Sequence, residues 1–144
     1  MFALVLVAAV AGAAPPAKEK CPVCGMFVAK YPEWTASVTL RGGKVYYFDG
    51  AKDLFRFCLD LQKYAPGKAA ADVAAVTVLD YYSLEPIDGR RALYVLGSDV
   101  YGPMGKELIP FASRKDAEGF SRDHRGTKIL SFGDIRPPVL KLLE

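Results

Sequence analysis

The sequence predicts an α+β fold: two small ββαβ units packed together, each a small sheet backed by one helix. Three observations carry this expectation. Glycines and prolines cut the chain into short segments, several of them alternating and rich in β-branched residues. Two stretches have helical spacing behind a residue suited to capping. The two halves also repeat: Phe48-Asp49-Gly50-Ala51-Lys52-Asp53 leads to Phe57, and Phe111-Ala112-Ser113-Arg114-Lys115-Asp116 leads to Phe120. Each has a Phe, a cap, Lys-Asp and a second Phe at the same offsets.

The elements follow in order. Thr35 to Arg41 alternates and reads as a strand, Gly42-Gly43 as a hairpin turn, and Lys44 to Phe48 as the return strand. Asp49 is expected to cap a helix from Ala51 to Tyr64, with Leu54, Phe55, Cys58, Leu59 and Leu61 on its apolar side and Pro66-Gly67 as its stop. Val73 to Tyr82 reads as a third strand. The second round has strands at Leu93 to Leu96 and Leu108 to Ala112, with a glycine-punctuated loop from Asp99 to Gly105 between them. Ser113 caps a helix from Arg114 to His124, Gly126 stops it, and Lys128 to Phe132 closes the unit. The halves are placed at about 21–86 and 87–136 of a domain spanning 21–144. Neither half alone would bury much core, so they are expected to pack on each other.

In a chain of 144 residues, 51% apolar and 24% charged, one compact globular domain is the expectation. A net charge of +3 with no long basic run is too small to imply a nucleic-acid partner, and none is expected. Phe2 to Ala14 is uncharged and built almost wholly of Ala, Val and Leu. It is too short for a spanning helix, which needs ~20 residues. With Ala11-Gly12-Ala13 supplying a cleavage pattern, residues 1–14 read as a secretory signal and 15–20 as a linker. The domain is therefore expected to be exported, to the periplasm or its equivalent. Lys20 stands where a lipoprotein signal needs a small residue, which argues against lipid anchoring at Cys21.

The residues with chemistry are few. Cys21-Pro22-Val23-Cys24-Gly25-Met26 places two thiols and a thioether in one short segment, and Met104 sits in Gly102-Pro103-Met104-Gly105. Methionines that fill cores normally lie in helices and strands, whereas these two lie in glycine-flanked loops; for Met104 alone, a hydrophobic plug under the loop stays equally open. A thioether is a soft donor that suits Cu(I) and ligates zinc, calcium or magnesium poorly. Structural zinc needs four Cys or His ligands, and beyond the pair there are only Cys58 and His124. A thioredoxin-like pair would follow a strand in a βαβ setting, which this segment does not. A plain disulfide between Cys21 and Cys24 stays open, as does a thiol-disulfide function. Cys58, among apolar helix neighbours, reads as a buried inert thiol, and His124 as a surface residue at a helix C-terminus, with a role as auxiliary ligand left open. With one His and no Gly-x-Ser-x-Gly or phosphate-cradling loop, the chain is not expected to be an enzyme.

Four stretches together resemble the NosL family of nitrous oxide reductase accessory proteins. They are Cys21 to Met26, Tyr47-Phe48-Asp49-Gly50, Met104 to Phe111, and Ala117 to Phe120 before Gly126. The resemblance runs from Cys21 to Ile135. It implies two ββαβ units and an exported copper chaperone that binds Cu(I) and hands it to a copper-receiving protein or assembly factor, with membrane-associated assembly machinery as a further partner. By position, Cys24 and Met26 match the family's Cys-Gly-Met and Met104 its downstream Met, with Cys21 as a second thiolate or redox partner. The alternatives kept beside it are a thiol-disulfide protein and a domain that uses metal only for folding.

Overall fold

A computed structural model describes residues 14–144, so the expected signal segment, apart from Ala14, lies outside the described residues. The first sheet grows from the Gly42-Gly43 hairpin. Strand β1 (Ala36–Leu40) buries Ala36, Val38 and Leu40 on one face, the period-2 pattern of a half-covered strand. It pairs antiparallel with β2 (Val45–Phe48), and both hairpin glycines take positive φ, near 98° and 99°, which L residues rarely adopt. Helix α1 (Ala51–Leu59) and the short helix α2 (Leu61–Tyr64) follow. The chain then returns as β3 (Val73–Leu79), and β4 (Pro86–Asp88) adds an edge strand, giving the order β2-β1-β3-β4.

The second sheet repeats this plan. Strand β5 (Leu93–Leu96) is central, β8 (Ile109–Phe111) and β9 (Lys128–Ser131) flank it antiparallel, and helix α3 (Arg114–Asp123) connects β8 to β9. In both units the first strand thus lies between the second and the last, and the helix precedes the last. The expected α+β pair of ββαβ units is what forms. A two-stranded ribbon, β6 (Tyr101–Gly102) and β7 (Gly105–Lys106), is inserted between β5 and β8, and α4 (Pro137–Lys141) ends the chain.

The two units share their core. On β5, Tyr94 and Leu96 pack into the cluster around α1 while Val95 packs with Ile109, Phe111, Ala117 and Phe120 under α3. Alternation along one strand therefore serves two cores. Phe57 of α1 meets Tyr46 and Phe48 of the first sheet, with ring centroids 4.7 and 5.2 Å away, and Phe55 meets Tyr94 of the second at 5.0 Å. Such aromatic contacts each contribute ~0.5–1.5 kcal/mol beyond area burial. Buried Asp80 also joins the units. It accepts the amides of Tyr82 and Ser83 at 3.0 and 2.9 Å and that of Ala112 at 2.8 Å.

Several boundaries differ from expectation. The helix expected to run from Ala51 to Tyr64 breaks at Asp60 (φ −142°, ψ 59°), which turns Leu61 into the core while Leu59 stays exposed. The third strand stops at Leu79 because the Asp80 carboxylate ties the following amides into a turn. The loop from Asp99 to Gly105 contains the ribbon, and β4 and α4 were not expected. Helix α4 starts with Pro137-Pro138 and lays Leu140 and Leu143 against the core. Ser113 does cap α3, its hydroxyl accepting the Asp116 amide at 3.1 Å. Asp49 does not cap α1: Gly50 occupies that position with no side-chain cap, and the Asp49 carboxylate is used elsewhere.

Candidate metal site

The Cys21–Met26 segment is a closed loop. Lys20 bridges Phe27, the Cys21 amide donates to the Met26 carbonyl at 2.9 Å, and the Gly25 amide donates to the Cys21 carbonyl at 2.9 Å. Gly25 makes the tight return at φ +78°, where a side chain would strain the backbone. The loop turns its sulfurs inward.

The start of α1 supplies the other half of the site. Asp49 immediately precedes the helix and Asp53 lies one turn on, so the two carboxylates fall on one side. Cys21 Sγ is 3.5 Å from Asp53 Oδ2, and Cys24 Sγ is 3.3 Å from Asp49 Oδ1. Ligand atoms of Cys21, Cys24, Asp49 and Asp53 all lie within 4.8 Å of one another, the span of a single metal ion's donors. All four are buried except Cys24, which is half-buried. Arg56 bridges Asp53 at 3.3 Å and offsets part of the local negative charge.

Burial sets the protonation of the thiols. Desolvation pushes Cys21 up to about 11, opposed by the amides of Cys24 and Val23 and reinforced by the Asp53 charge. Desolvation raises Cys24 further, with the Met26 amide opposing and the Cys21 and Asp49 groups adding to the rise. Without metal both are thiols at neutral pH. Each donates toward a carboxylate, and a metal ion that binds the sulfur must displace its proton.

The sequence-expected residues are distributed as follows. Cys21 and Cys24 converge. Met26 is half-buried in the same loop. Met104 is 40% exposed in the turn between β6 and β7, and its carbonyl accepts a 2.8 Å hydrogen bond from Lys52 Nζ of α1. That bond ties the Met104 loop to the helix start carrying Asp49 and Asp53. His124 pairs with Asp99 at 2.9 Å and stacks on Phe120, so it stays with α3 and is not one of the four converging donors. Cys58 is half-buried rather than fully enclosed. It lines an open apolar cleft of about 220 Å³ together with Phe55, Arg90, Phe132 and Arg136.

Asp49, Asp53, Lys52 and Glu107 were not foreseen as site residues. The available signal was the i, i+4 spacing of the two aspartates on a helix otherwise facing a core.

A search against family models matches the NosL model over residues 13–140. The chain belongs to the NosL family. It is similar to the copper-binding lipoprotein NosL of Stutzerimonas stutzeri, 25% identical over 128 residues. That match covers 85% of this chain but 65% of the relative, so the chain spans just under two thirds of that protein's length. Among solved structures it is similar to the crystal structure of the copper chaperone NosL from Shewanella denitrificans (TM-score 0.73, 30% identity, 89% of this chain and 96% of that one). It is also similar to the solution structure of apo-NosL from Achromobacter cycloclastes (TM-score 0.51, 25% identity, 73% and 87%). The NosL assignment and the two-unit fold therefore agree with the reading from sequence.

Proposed function

We propose that this chain is an exported copper chaperone. It takes up Cu(I) through Cys24 and Met26, with Cys21 as the second thiolate and Met104 completing the set, and passes the ion to a copper-receiving protein or assembly factor. The observation that carries this reading is the convergence of two thiols and two carboxylates within 4.8 Å, beside a methionine in the same loop. Soft sulfur donors select Cu(I), the displaced thiol protons leave to solvent, and the carboxylates balance the cation's charge. Half-buried Cys24 and exposed Met104 leave the ion open to an incoming ligand, as hand-over requires.

The family name and the resemblance to nitrous oxide reductase accessory proteins point to a copper enzyme of that kind as client. The relative named a lipoprotein supports export to the periplasm. Cys21 is only 1% exposed and faces the site, which argues against its carrying a lipid. The thiol-disulfide alternative is weakened by the raised thiols, because a reactive pair needs a stabilised thiolate.

Titrating the reduced protein with Cu(I) against a competing chelator tests the proposal, followed by offering the loaded protein an acceptor site. Tight binding that weakens by at least tenfold in Cys24→Ser, with transfer to the acceptor, is expected. Equal binding by wild type and Cys24→Ser would overturn it. Metal-induced stabilisation without transfer would favour a purely structural metal.

A further inference from the structure

Two buried ionisable residues lie between the Met104 loop and the cysteine–aspartate cluster, and neither is among the four converging donors. Glu107, 4% exposed, belongs to the second unit, and Lys52, 3% exposed, to the first. Glu107 Oε1 accepts the Lys52 backbone amide at 2.6 Å, across 55 residues of sequence, and its own neighbour's amide, that of Leu108, at 2.8 Å. Its carboxylate sits against Gly50, where an added Cβ would collide with Oε2. At Gly102 an added Cβ would lie 3.4 Å from Glu107 Cγ and Oε2. The Glu107 side chain is therefore wedged between the start of α1 and the first strand of the ribbon. From the other direction, Lys52 Nζ reaches back to the Met104 carbonyl at 2.8 Å.

We propose that Glu107 and Lys52 are positioning residues: they lock the Met104 loop of the second unit against the Cys21–Cys24–Asp49–Asp53 cluster of the first, so that the Met104 thioether is pre-organised for the ion. This rests on the reading of Met104 as a copper ligand. A buried ammonium and a buried carboxyl are costly to desolvate and persist only where hydrogen bonds offset that cost. Here both groups direct those bonds across the gap between the two units. Each also holds a backbone group rather than a side chain, which fixes the loop and leaves the thioether free to bind. A ligand held in place contributes more affinity than one that must be ordered when the ion arrives.

The test is a double-mutant cycle on the full chain. Lys52→Leu removes the bond to the Met104 carbonyl without adding a soft donor, Glu107→Ala removes the clamp, and Glu107→Gln keeps an amide oxygen to accept the same backbone amides. Cu(I) affinity is read by chelator competition in the wild-type and Met104→Leu backgrounds. Amide hydrogen exchange of residues 101–106 is read without metal. Lys52→Leu and Glu107→Ala are expected to weaken Cu(I) binding about tenfold, to add less than about threefold in the Met104→Leu background, and to speed loop exchange. Glu107→Gln is expected to recover most of the loss. Losses of equal size in both backgrounds, unchanged affinity, or a Glu107→Gln as damaging as Glu107→Ala would overturn the proposal. Should Glu107→Ala not fold, Lys52→Leu and Glu107→Gln decide it. If wild type itself binds no Cu(I), the functional reading fails, and the hydrogen exchange still reports whether these residues hold the loop.

Discussion

Cys24 Sγ lies 3.3 Å from Asp49 Oδ1, and Asp49 is only 1% exposed. Thiol and carboxylate form a part-buried hydrogen-bonded pair that favours the protonated sulfur until something displaces the proton. Asp49→Asn removes the negative charge that disfavours the thiolate. We expect the Cys24 thiol to titrate at lower pH in Asp49→Asn and to alkylate several-fold faster at mildly alkaline pH. Thiolate ultraviolet absorbance against pH, in a background lacking the other two cysteines, measures this. An unchanged titration would mean that the carboxylate does not control the thiol.

Cu(I) affinity should depend steeply on pH. Burial holds both thiols well above their ordinary value, so across neutral pH every thiol that binds must release a proton. Affinity therefore rises with pH, by about one decade per unit for each thiol displaced. Two decades per unit in wild type falling to one in Cys21→Ser would establish Cys21 as a second thiolate ligand. One decade in both would exclude it.

Gly50→Ala should be costly. The new methyl has no room beside Glu107, and the glycine's φ of +155° suits no L residue well. Overpacking of this kind costs ~1–3 kcal/mol. A urea melt should show that loss together with weakened metal binding, because the same displacement moves Asp49. A melt matching wild type would mean that Glu107 can swing away.

Stability should fall as pH rises from about 4.5 to about 8. Burial, opposed by the amides of Leu108 and Lys52, raises the Glu107 carboxyl from its ordinary 4.5 to about 8. The folded protein therefore holds a proton that the unfolded chain has released. The stabilisation is complete below about 4.5 and is lost progressively up to about 8. Glu107→Gln, which cannot ionise, should flatten this part of the profile in metal-free melts. A slope that survives the substitution would place its origin elsewhere.

Cys58→Ala should leave Cu(I) affinity within about twofold of wild type, since its thiol faces the apolar cleft and not the cluster. A larger loss would assign it to the metal.

The sequence carried the architecture further than the site. Period-2 strands, the Gly42-Gly43 turn, the Ser113 cap and the repeated Phe–cap–Lys-Asp pattern are local signals, and each corresponds to an element. Asp60, by contrast, reads as an ordinary helix surface residue, yet it breaks the helix because Leu61 gains core burial. Strand β4 is too short to have a period, and a two-residue ribbon has none. For the site, the soft-donor logic proposed Cys21, Cys24, Met26 and Met104, and of these Cys21 and Cys24 are among the four converging donors. It could not find Asp49, because an aspartate before a helix is the usual sign of a cap, and here the partner that takes it is a thiol 25 residues earlier. Glu107 and Lys52 were equally hidden, since only tertiary structure makes them neighbours.

The closed loop at the start of the domain has a consequence for the order of events. Its cysteines emerge before every partner they meet: Asp49 and Asp53 follow 25 and 32 residues after their thiols, and Glu107 comes 55 residues after Lys52. Such long-range closures form late in folding. A newly made chain therefore carries exposed, uncommitted thiols, vulnerable to oxidation or to the wrong ion, until its second half has folded onto its first. On the proposed reading, selectivity for copper would be a property of the finished protein, and a chain interrupted before residue 107 would keep the cysteines but lack the clamp.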